Sequence, residues 1–284
     1  MDSREKVREF SISHYHAEEE PFYVDVGGET QIFKAAFDER IPVICKGPTG
    51  CGKSRFVERM AYELNRDSKN GKIPLIKQPC HEDLTADDLK GRYLLSGEYQ
   101  EGSALVAVKT GGILYLDEIV EARKDTTVII HPLGDESRFL LIEKLGKMYQ
   151  APDSFMLVMS YNPGYQIKLK DLKQSTRQRF VSIDFDYAPK DLETQIVSHE
   201  AKIDEKMAEG LVEIGAHVRN LKNNGLEEGA STRLLVNTGK LIRKGIPPIK
   251  ACKVGILNPI TDDMDVYADI RKGLEDIIDN YFPK

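Results

Sequence analysis

The glycine-rich segment from Gly47 to Ser54 constrains the fold of this chain more than any other feature, and it reads Gly-Pro-Thr-Gly-Cys-Gly-Lys-Ser. The apolar run at 41–45 directly before it predicts a short buried strand, and residues 55–64 after it carry apolar side chains at helical spacing. A strand, a glycine-rich loop and a helix in this order form the pattern of a phosphate-binding loop. The segment therefore predicts an α/β fold with a nucleotide site.

The residues of this loop have separate expected parts in holding a polyphosphate. Glycines leave the backbone free to turn its N–H groups inward around the anion, and the following helix presents the positive end of its dipole to the same anion. The residues expected to line the phosphates are Gly47, Pro48, Thr49, Gly50, Cys51 and Gly52. We expect Lys53 to reach the β- and γ-phosphates and the hydroxyl of Ser54 to ligate Mg²⁺.

Composition limits the class of protein that can carry this loop. With 284 residues, of which 40% are apolar, the chain can form one large domain or a large and a small one. The formal net charge of −6 and the lack of a long basic run argue against a broad nucleic-acid surface. Four cysteines without a CxxC pair, a polar N-terminus and no apolar run of membrane-spanning length predict a reduced, cytoplasmic protein without a membrane partner.

Alternating strand-like and helical runs between residues 25 and 188 predict a largely parallel sheet with helices on both faces, preceded by a polar N-terminal arm at 1–24. The predicted strands are 41–45, 73–78, 113–116, 155–160 and 180–185. Two stretches do not suit simple crossover helices. Residues 91–102 are expected to form a loop or small hairpin, and residues 138–150 a second hairpin.

The character of the sequence changes after residue 188. From 189 to 284 helical periodicity dominates, and residues that break helices interrupt it at 223–225, 245–248 and 258–259. This pattern predicts a small all-helical lid domain that follows the α/β core.

Two acidic residues follow the apolar run 112–116 at the carboxyl end of a predicted strand, where ligands gather in open α/β sheets. We expect Asp117 to hold Mg²⁺ through its water shell and Glu118 to polarise or deprotonate the attacking water. Acids at this place can also cap the next helix. The phosphate-binding loop upstream favours the functional interpretation, and the second acid favours a hydrolase over a small-molecule kinase.

Further polar residues are placed to assist phosphoryl transfer. Asn162, at the end of the next predicted strand, can hydrogen-bond the γ-phosphate and the attacking water, or form a turn before Pro163. Arg179 is our candidate for an arginine finger that enters a neighbouring subunit's site, and Arg177 is expected to support it or to be a surface ion-pair partner. Arg233, near the start of a helix in the lid domain, is expected to contact the phosphates or to be solvated.

Taken together, these residues resemble the AAA+ ATPases, and the resemblance covers nearly the whole chain. The insertions at 91–102 and 138–150 are similar to the helix-2 insert and the pre-sensor-1 hairpin of the MoxR-type branch. The local sequence is most similar to the CbbQ/NorQ group, with GvpN as a further relative. The segments that carry this likeness are 47–54, 160–165, 174–180 and 229–235.

The resemblance implies ATP and Mg²⁺ as the bound groups and a role for each candidate residue. These roles are Walker A for Lys53 and Ser54, Walker B for Asp117 and Glu118, sensor 1 for Asn162, the finger for Arg179 and sensor 2 for Arg233. Whether Arg233 acts on its own subunit's nucleotide or on a neighbour's stays open.

The resemblance also implies partners. It implies a homo-oligomeric ring, usually a hexamer, that works with a CbbO-like adaptor protein carrying a von Willebrand factor A domain. CbbQ-like members use ATP to remodel Rubisco and release inhibitory sugar phosphates, NorQ-like members serve nitric oxide reductase maturation, and GvpN-like members are gas-vesicle ATPases. The stretches 131–135 and 261–263 look CbbQ-like and favour Rubisco as the client.

Three other classes of function stay open at this point. A nucleic-acid motor would use Lys144 and Lys147 of the second predicted hairpin, although the acidic balance of the chain argues against it. A metabolic kinase would transfer the phosphoryl group to a small molecule instead of water. A nucleotide-gated scaffold would bind without useful hydrolysis, and the combination of Glu118, Asn162 and Arg179 argues against that class.

Overall fold

The computed structural model describes residues 19–67, 73–163, 174–221, 229–260, 275–276 and 278–282. They form two compact units. The sheet unit comprises the described residues of Met1–Pro21, Gly28–Lys46 and Ser54–Asp184, and the helical unit those of Phe22–Gly27, Gly47–Lys53 and Phe185–Lys284. The predicted boundary between residues 188 and 189 falls inside the helical unit, which also includes the glycine-rich loop.

The strands and helices alternate along the first two thirds of the chain. The strands are β1 (Val43–Lys46), β2 (Leu75–Pro79), β3 (Gly91–Tyr93), β4 (Tyr99–Glu101), β5 (Ile113–Asp117), β6 (Phe139–Ile142), β7 (Lys147–Gln150), β8 (Met156–Tyr161) and β9 (Val181–Asp184). The α-helices are α1 (Glu29–Asp38), α2 (Lys53–Asp67), α3 (Ala86–Lys90), α4 (Ser103–Thr110), α5 (Lys124–Ile130), α6 (Gln174–Arg177), α7 (Lys190–Ala201), α8 (Glu205–Asn220), α9 (Thr232–Arg243), α10 (Pro248–Cys252) and α11 (Asn258–Ile260).

Five strands form one parallel sheet in the order β2-β5-β8-β1-β9. This confirms the predicted α/β fold with a parallel five-stranded sheet, and each strand lies within two residues of its predicted bounds. Strand β8 is buried along its whole length, as expected for a parallel strand covered on both faces. The register pairs Leu116 of β5 with Met159 of β8 and Lys46 of β1 with Tyr161, so the carboxyl ends of these three strands lie at one edge.

The two insertions form antiparallel hairpins, as predicted. The first consists of β3 and β4 and follows the short helix α3, and the second consists of β6 and β7. Leu95 at the tip of the first hairpin is fully exposed, whereas Tyr99 packs against the core and donates its hydroxyl proton to the carbonyl oxygen of Lys90. Ion pairs between Lys90 and Glu143 and between Lys144 and Asp87 join the second hairpin to helix α3, which precedes the first hairpin.

Helices α7 to α11 form most of the helical unit and pack around an apolar core of their own. Val197, Leu211, Ile214, Leu235 and Ile256 are all completely buried in it. The capping side chains follow the expected pattern, since Asp204 accepts a hydrogen bond from an early amide of α8 and Ser231 from one of α9. A helical C-terminal region is therefore confirmed.

Two of the three predicted helix interruptions lie in described residues, and one of them is wrong. The interruption at 245–248 is present between α9 and α10, whereas residues 223–225 lie outside the described residues. No interruption occurs at 258–259, because a π-helical turn at Lys253–Leu257 leads directly into α11. The wider turn changes the hydrogen-bond register just before Pro259, where a proline cannot supply the amide of a regular α-helix.

Candidate nucleotide-binding site

The glycine-rich loop has the backbone conformation that a phosphate cradle requires. Gly50 and Gly52 have φ angles of +68° and +107°, a region that side chains other than glycine rarely adopt. Lys53 is buried at the start of α2, and its ammonium group donates hydrogen bonds to the carbonyl oxygens of Gly47 at 2.8 Å and Pro48 at 3.0 Å. The loop therefore holds its lysine in place with its own backbone.

The side chains of Ser54 and Asp117 meet in the sheet unit, as the predicted metal site requires. The Ser54 hydroxyl lies 3.3 Å from Oδ2 of Asp117. Ser160 of β8 donates a hydrogen bond of 2.5 Å to Oδ1 of the same carboxylate. Asp117 is thereby fixed from two sides at the carboxyl end of β5.

Tyr115 completes this oxygen cluster, and sequence reasoning missed it. Its hydroxyl lies 3.0 Å from the Ser54 hydroxyl and donates to Oδ1 of Asp117 at 2.8 Å. Residues two apart in a strand share a face, so the Tyr115–Asp117 spacing was the available signal. Burial raises the pKa of Tyr115, with the charge of Asp117 as a further cause, so the phenol keeps its proton at neutral pH.

Glu118 follows β5 in a backbone conformation that is uncommon for a residue with a side chain. Its φ and ψ are 55° and 50°, and its amide donates a hydrogen bond of 3.1 Å to the hydroxyl of Ser160. Such left-handed residues cost of order 1–3 kcal/mol and concentrate at functional sites. This conformation ends the extended backbone of β5 directly after Asp117.

Asn162 lies where the sequence predicted it, directly after β8, and it is buried. Strand β8 runs between β5 and β1, so its carboxyl end lies beside the end of the strand that carries Asp117. The structure thus places Ser54, Asp117, Glu118 and Asn162 in the sheet unit. Asp117 ends β5, Glu118 follows it, and Asn162 follows the neighbouring strand β8.

The two candidate finger arginines differ in their contacts. The guanidinium of Arg179 forms an ion pair with Asp135 and donates to the carbonyl oxygen of Ser175. Arg177, the last residue of α6, is exposed and makes no ion pair with any other residue that the structure describes. A hydrogen bond of 3.1 Å between His131 and Thr176 ties this short helix to the turn that precedes Asp135.

Arg233 is the second residue of α9 and is exposed. Within the helical unit it lies beside the glycine-rich loop, since a Cβ atom added at Gly50 would be 3.2 Å from the Cβ of Arg233. The neighbouring Cys51 is a protonated thiol at neutral pH, because burial raises its pKa despite the nearby charge of Lys53. Cys51 therefore acts as a small side chain in the loop and not as a nucleophile.

The fold of this chain is similar to that of two solved structures. Thermotoga maritima RuvB, solved as a point mutant, has a TM-score of 0.54 at 16% identity and covers 88% of this chain and 71% of its own. NtrX from Brucella abortus has a TM-score of 0.56 at 14% identity, with 92% and 63% covered. These likenesses show the fold alone. The family model for the AAA domain (dynein-related subfamily) matches residues 42–180, which contain the loop and both acids. The protein is therefore an AAA+ ATPase.

The particular family follows from the last third of the chain and from close relatives. The CbbQ/NirQ/NorQ C-terminal model matches residues 193–281. Protein CbbQ of Hydrogenophilus thermoluteolus is 50% identical over 262 residues, which cover 91% of this chain and 96% of that protein. NirQ of Stutzerimonas stutzeri is 49% identical (87% and 89% covered), and NorQ of Paracoccus denitrificans 47% (90% and 92%). The chain belongs to the CbbQ/NirQ/NorQ group of MoxR-type AAA+ ATPases, as its motifs predicted.

None of the helices in the described ranges has the length and apolarity that a membrane crossing needs.

Proposed function

We propose that this protein binds ATP on the Gly47–Ser54 loop and uses its hydrolysis to remodel a folded client protein. The observation that carries the proposal is the meeting of the Ser54 hydroxyl with the Asp117 carboxylate, 3.3 Å apart, directly after the loop. Lys53, already held at the loop by backbone carbonyls, is proposed to bind the β- and γ-phosphates.

The oxygen cluster fits a magnesium ion that a nucleotide brings with it. Ser54 and Asp117 offer hard oxygen ligands, and the described residues contain no group of three or more His, Cys, Asp or Glu side chains that could hold a metal alone. Mg²⁺ commonly binds through one or two protein oxygens together with substrate phosphates and water. When bound it would neutralise charge on the β- and γ-phosphate oxygens.

Tyr115 gives this assignment a test that leaves every direct ligand in place. We predict that Tyr115→Phe raises the Mg²⁺ concentration for half-maximal ATPase activity at least about tenfold, because outer-shell partners of metal ligands typically contribute 10- to 100-fold. Calorimetric titration of Mg²⁺ into the protein with ADP should show the same shift. Tyr99→Phe, which removes a part-buried hydroxyl bond in the first hairpin, should leave both values unchanged.

Glu118 and Asn162 are proposed to handle the attacking water. The carboxylate would accept its proton, and the amide would orient it against the γ-phosphate. Both residues follow strands whose carboxyl ends lie at one sheet edge, which supports their cooperation on one reacting group.

Arg179 is proposed to act on the nucleotide of a neighbouring subunit. AAA+ proteins typically oligomerise, and we propose a hexameric ring for this chain. Within the single chain the guanidinium pairs with Asp135, so assembly would exchange that carboxylate for the neighbour's phosphate. Arg177 would support the finger at the same subunit boundary.

Calorimetry tests the nucleotide site directly. Wild-type protein with Mg²⁺ is expected to bind ATP, and Lys53→Ala to bind it at least about tenfold more weakly, because a hydrogen bond to a charged group is lost. Lys77→Ala removes a lysine that instead pairs with Glu58 on the surface, and it should bind ATP like the wild type. Equal affinities for Lys53→Ala and the wild type would refute the site.

For the client we propose inhibited Rubisco. The protein would activate it together with a partner that carries a von Willebrand factor A domain. The support is the likeness to CbbQ and the CbbQ-like stretches at 131–135 and 261–263. Near-equal identity to NirQ and NorQ favours a second candidate, maturation of nitric oxide reductase.

One pair of assays separates the two clients. The protein and its partner would be incubated with sugar-phosphate-inhibited Rubisco and ATP, and carboxylase activity followed. ATP-dependent recovery, absent with Glu118→Gln, supports the Rubisco proposal. No recovery, combined with a requirement for this protein when active nitric oxide reductase is assembled in cells, supports the second candidate. Stimulation of the ATPase by DNA would contradict both client proposals. The net charge of −6 and the ion pair of Lys144 with Asp87 argue against a nucleic-acid motor.

A further inference from the structure

A largely buried ion pair joins helices α7 and α8 in the helical unit. Glu193 of α7 is only 1% exposed and Arg219 of α8 17%, and the guanidinium donates two parallel hydrogen bonds of 2.7 and 2.6 Å to the carboxylate. Burying such a pair contributes little to stability compared with apolar residues of the same size, because both charges lose their hydration. The role of the ion pair is therefore sought in the other contacts of its two side chains.

On one side the pair fixes the start of α9. The hydroxyl of Thr232 donates a hydrogen bond of 2.6 Å to Glu193, and Nε of Arg219 donates one of 2.7 Å to the carbonyl oxygen of Ala230. These contacts hold the residues on both sides of Ser231, the N-cap of the helix. Arg233 is the next residue after Thr232, so its backbone position is set by the pair.

On the other side the pair reaches the glycine-rich loop. The guanidinium carbon of Arg219 lies 3.8 Å from the ring centroid of Tyr187, and the hydroxyl of Tyr187 donates a hydrogen bond of 3.2 Å to the carbonyl oxygen of Thr49. Burial raises the pKa of Tyr187 to about 12, so the hydroxyl keeps the proton that it donates. A continuous chain of contacts thus joins Thr49 to Thr232.

The loop and the start of α9 also touch directly. A Cβ atom added at Gly50 would lie 2.8 Å from the Cβ of Ser231 and 2.9 Å from its hydroxyl. Real Cβ atoms essentially never approach so closely, so the packing at this point leaves no room for a side chain at residue 50. The position of Ser231 relative to the loop therefore has little freedom.

We propose that Tyr187, Arg219 and Glu193 are positioning residues for ATP turnover, which hold the start of α9 against the loop so that Arg233 and the loop amides engage the same triphosphate. The proposal rests on the proposed function of the loop and adds that Arg233 contacts the triphosphate bound by the loop of its own subunit. Its physical basis is preorganisation, since a misplacement of about 1 Å can lower a rate about 100-fold.

The least disruptive test is Tyr187→Phe, which removes the hydroxyl and keeps the ring under the guanidinium. We expect KM for ATP and the Kd of a fluorescent ATP analogue to rise about fivefold, the equivalent of one neutral hydrogen bond, with a melting temperature lowered by no more than a few degrees. An unchanged KM and Kd would overturn the proposal.

A double-mutant cycle with Arg233→Ala distinguishes positioning from a general effect on the fold. If Tyr187 and Arg219 act through Arg233, then Tyr187→Phe and Arg219→Lys should change KM several-fold in the wild-type background and by less than about twofold when Arg233 is already alanine. Equal effects in the two backgrounds would overturn the proposal. If Arg219→Lys does not fold, the Tyr187→Phe cycle decides alone.

Lys190→Ala is the matched control, because Lys190 joins the same two helices through exposed ion pairs with Glu209 and Glu213. It should change KM by less than about twofold. A different result would contradict the proposed nucleotide site itself: Lys53→Ala and Arg233→Ala would then both bind ATP like the wild type. If those two variants bind weakly and Tyr187→Phe binds normally, only the positioning proposal falls.

Discussion

Replacing Glu118 with glutamine is expected to lower the ATP turnover number by about two to four powers of ten while ATP binding is retained, because an amide cannot accept the proton of the attacking water. The side chain keeps its size, and the backbone hydrogen bond from Glu118 to Ser160 is unaffected. Steady-state phosphate release measures the loss, and calorimetry with Mg²⁺–ATP measures the retained affinity. Assembled rings should also accumulate in the ATP-bound form.

Glu121→Gln makes the same change of charge three residues further along the chain, in the short helix that follows Glu118. It should hydrolyse ATP within about twofold of the wild-type rate if its charge has no part in the chemistry. Normal turnover by Glu118→Gln would show that another group accepts the proton of the attacking water.

Arg179→Ala is expected to lower turnover by about three to five powers of ten, the range that arginine fingers contribute in related phosphoryl-transfer enzymes. Its own nucleotide affinity should change less than about threefold, because the residue is proposed to act on a neighbour. Arg177→Ala, in the exposed position two residues earlier, should cause a smaller loss. Comparing the two turnover rates shows whether the effect belongs to the guanidinium of Arg179 or to the positive charge of the segment as a whole.

Mixing Arg179→Ala with Lys53→Ala subunits tests whether the arginine acts across a boundary. Each variant alone should be nearly inactive, and mixed rings should regain part of the activity wherever an intact loop faces an intact arginine. Energy transfer between labelled subunits shows whether exchange occurred. Complete exchange without any recovery would contradict an action in trans and would assign Arg179 to the Asp135 ion pair alone.

The strands of the sheet were predictable because each can be recognised from its own local sequence. Strands buried on both faces appear as short, continuous apolar runs, and 113–116 and 155–160 are of this kind. The failure at Asn258–Pro259 has the opposite cause. Proline ends a regular helix by local rules, but the π-helical turn at Lys253–Leu257 depends on packing that these rules do not include, since Ile256 and Leu257 are buried in the core of the helical unit.

The sequence alone determined the loop at 47–54, the two acids at the end of β5 and the family, because each depends on residues that are adjacent or at fixed spacing. Only the tertiary structure showed the hydroxyl of Tyr115 between Ser54 and Asp117, and the pairing of Arg179 with Asp135. The same is true of the contacts that join Thr49 to Thr232, in which Tyr187 lies 138 positions from its partner in the loop. Contacts of this range depend on the path of the whole chain, and no local pattern of residue types encodes them.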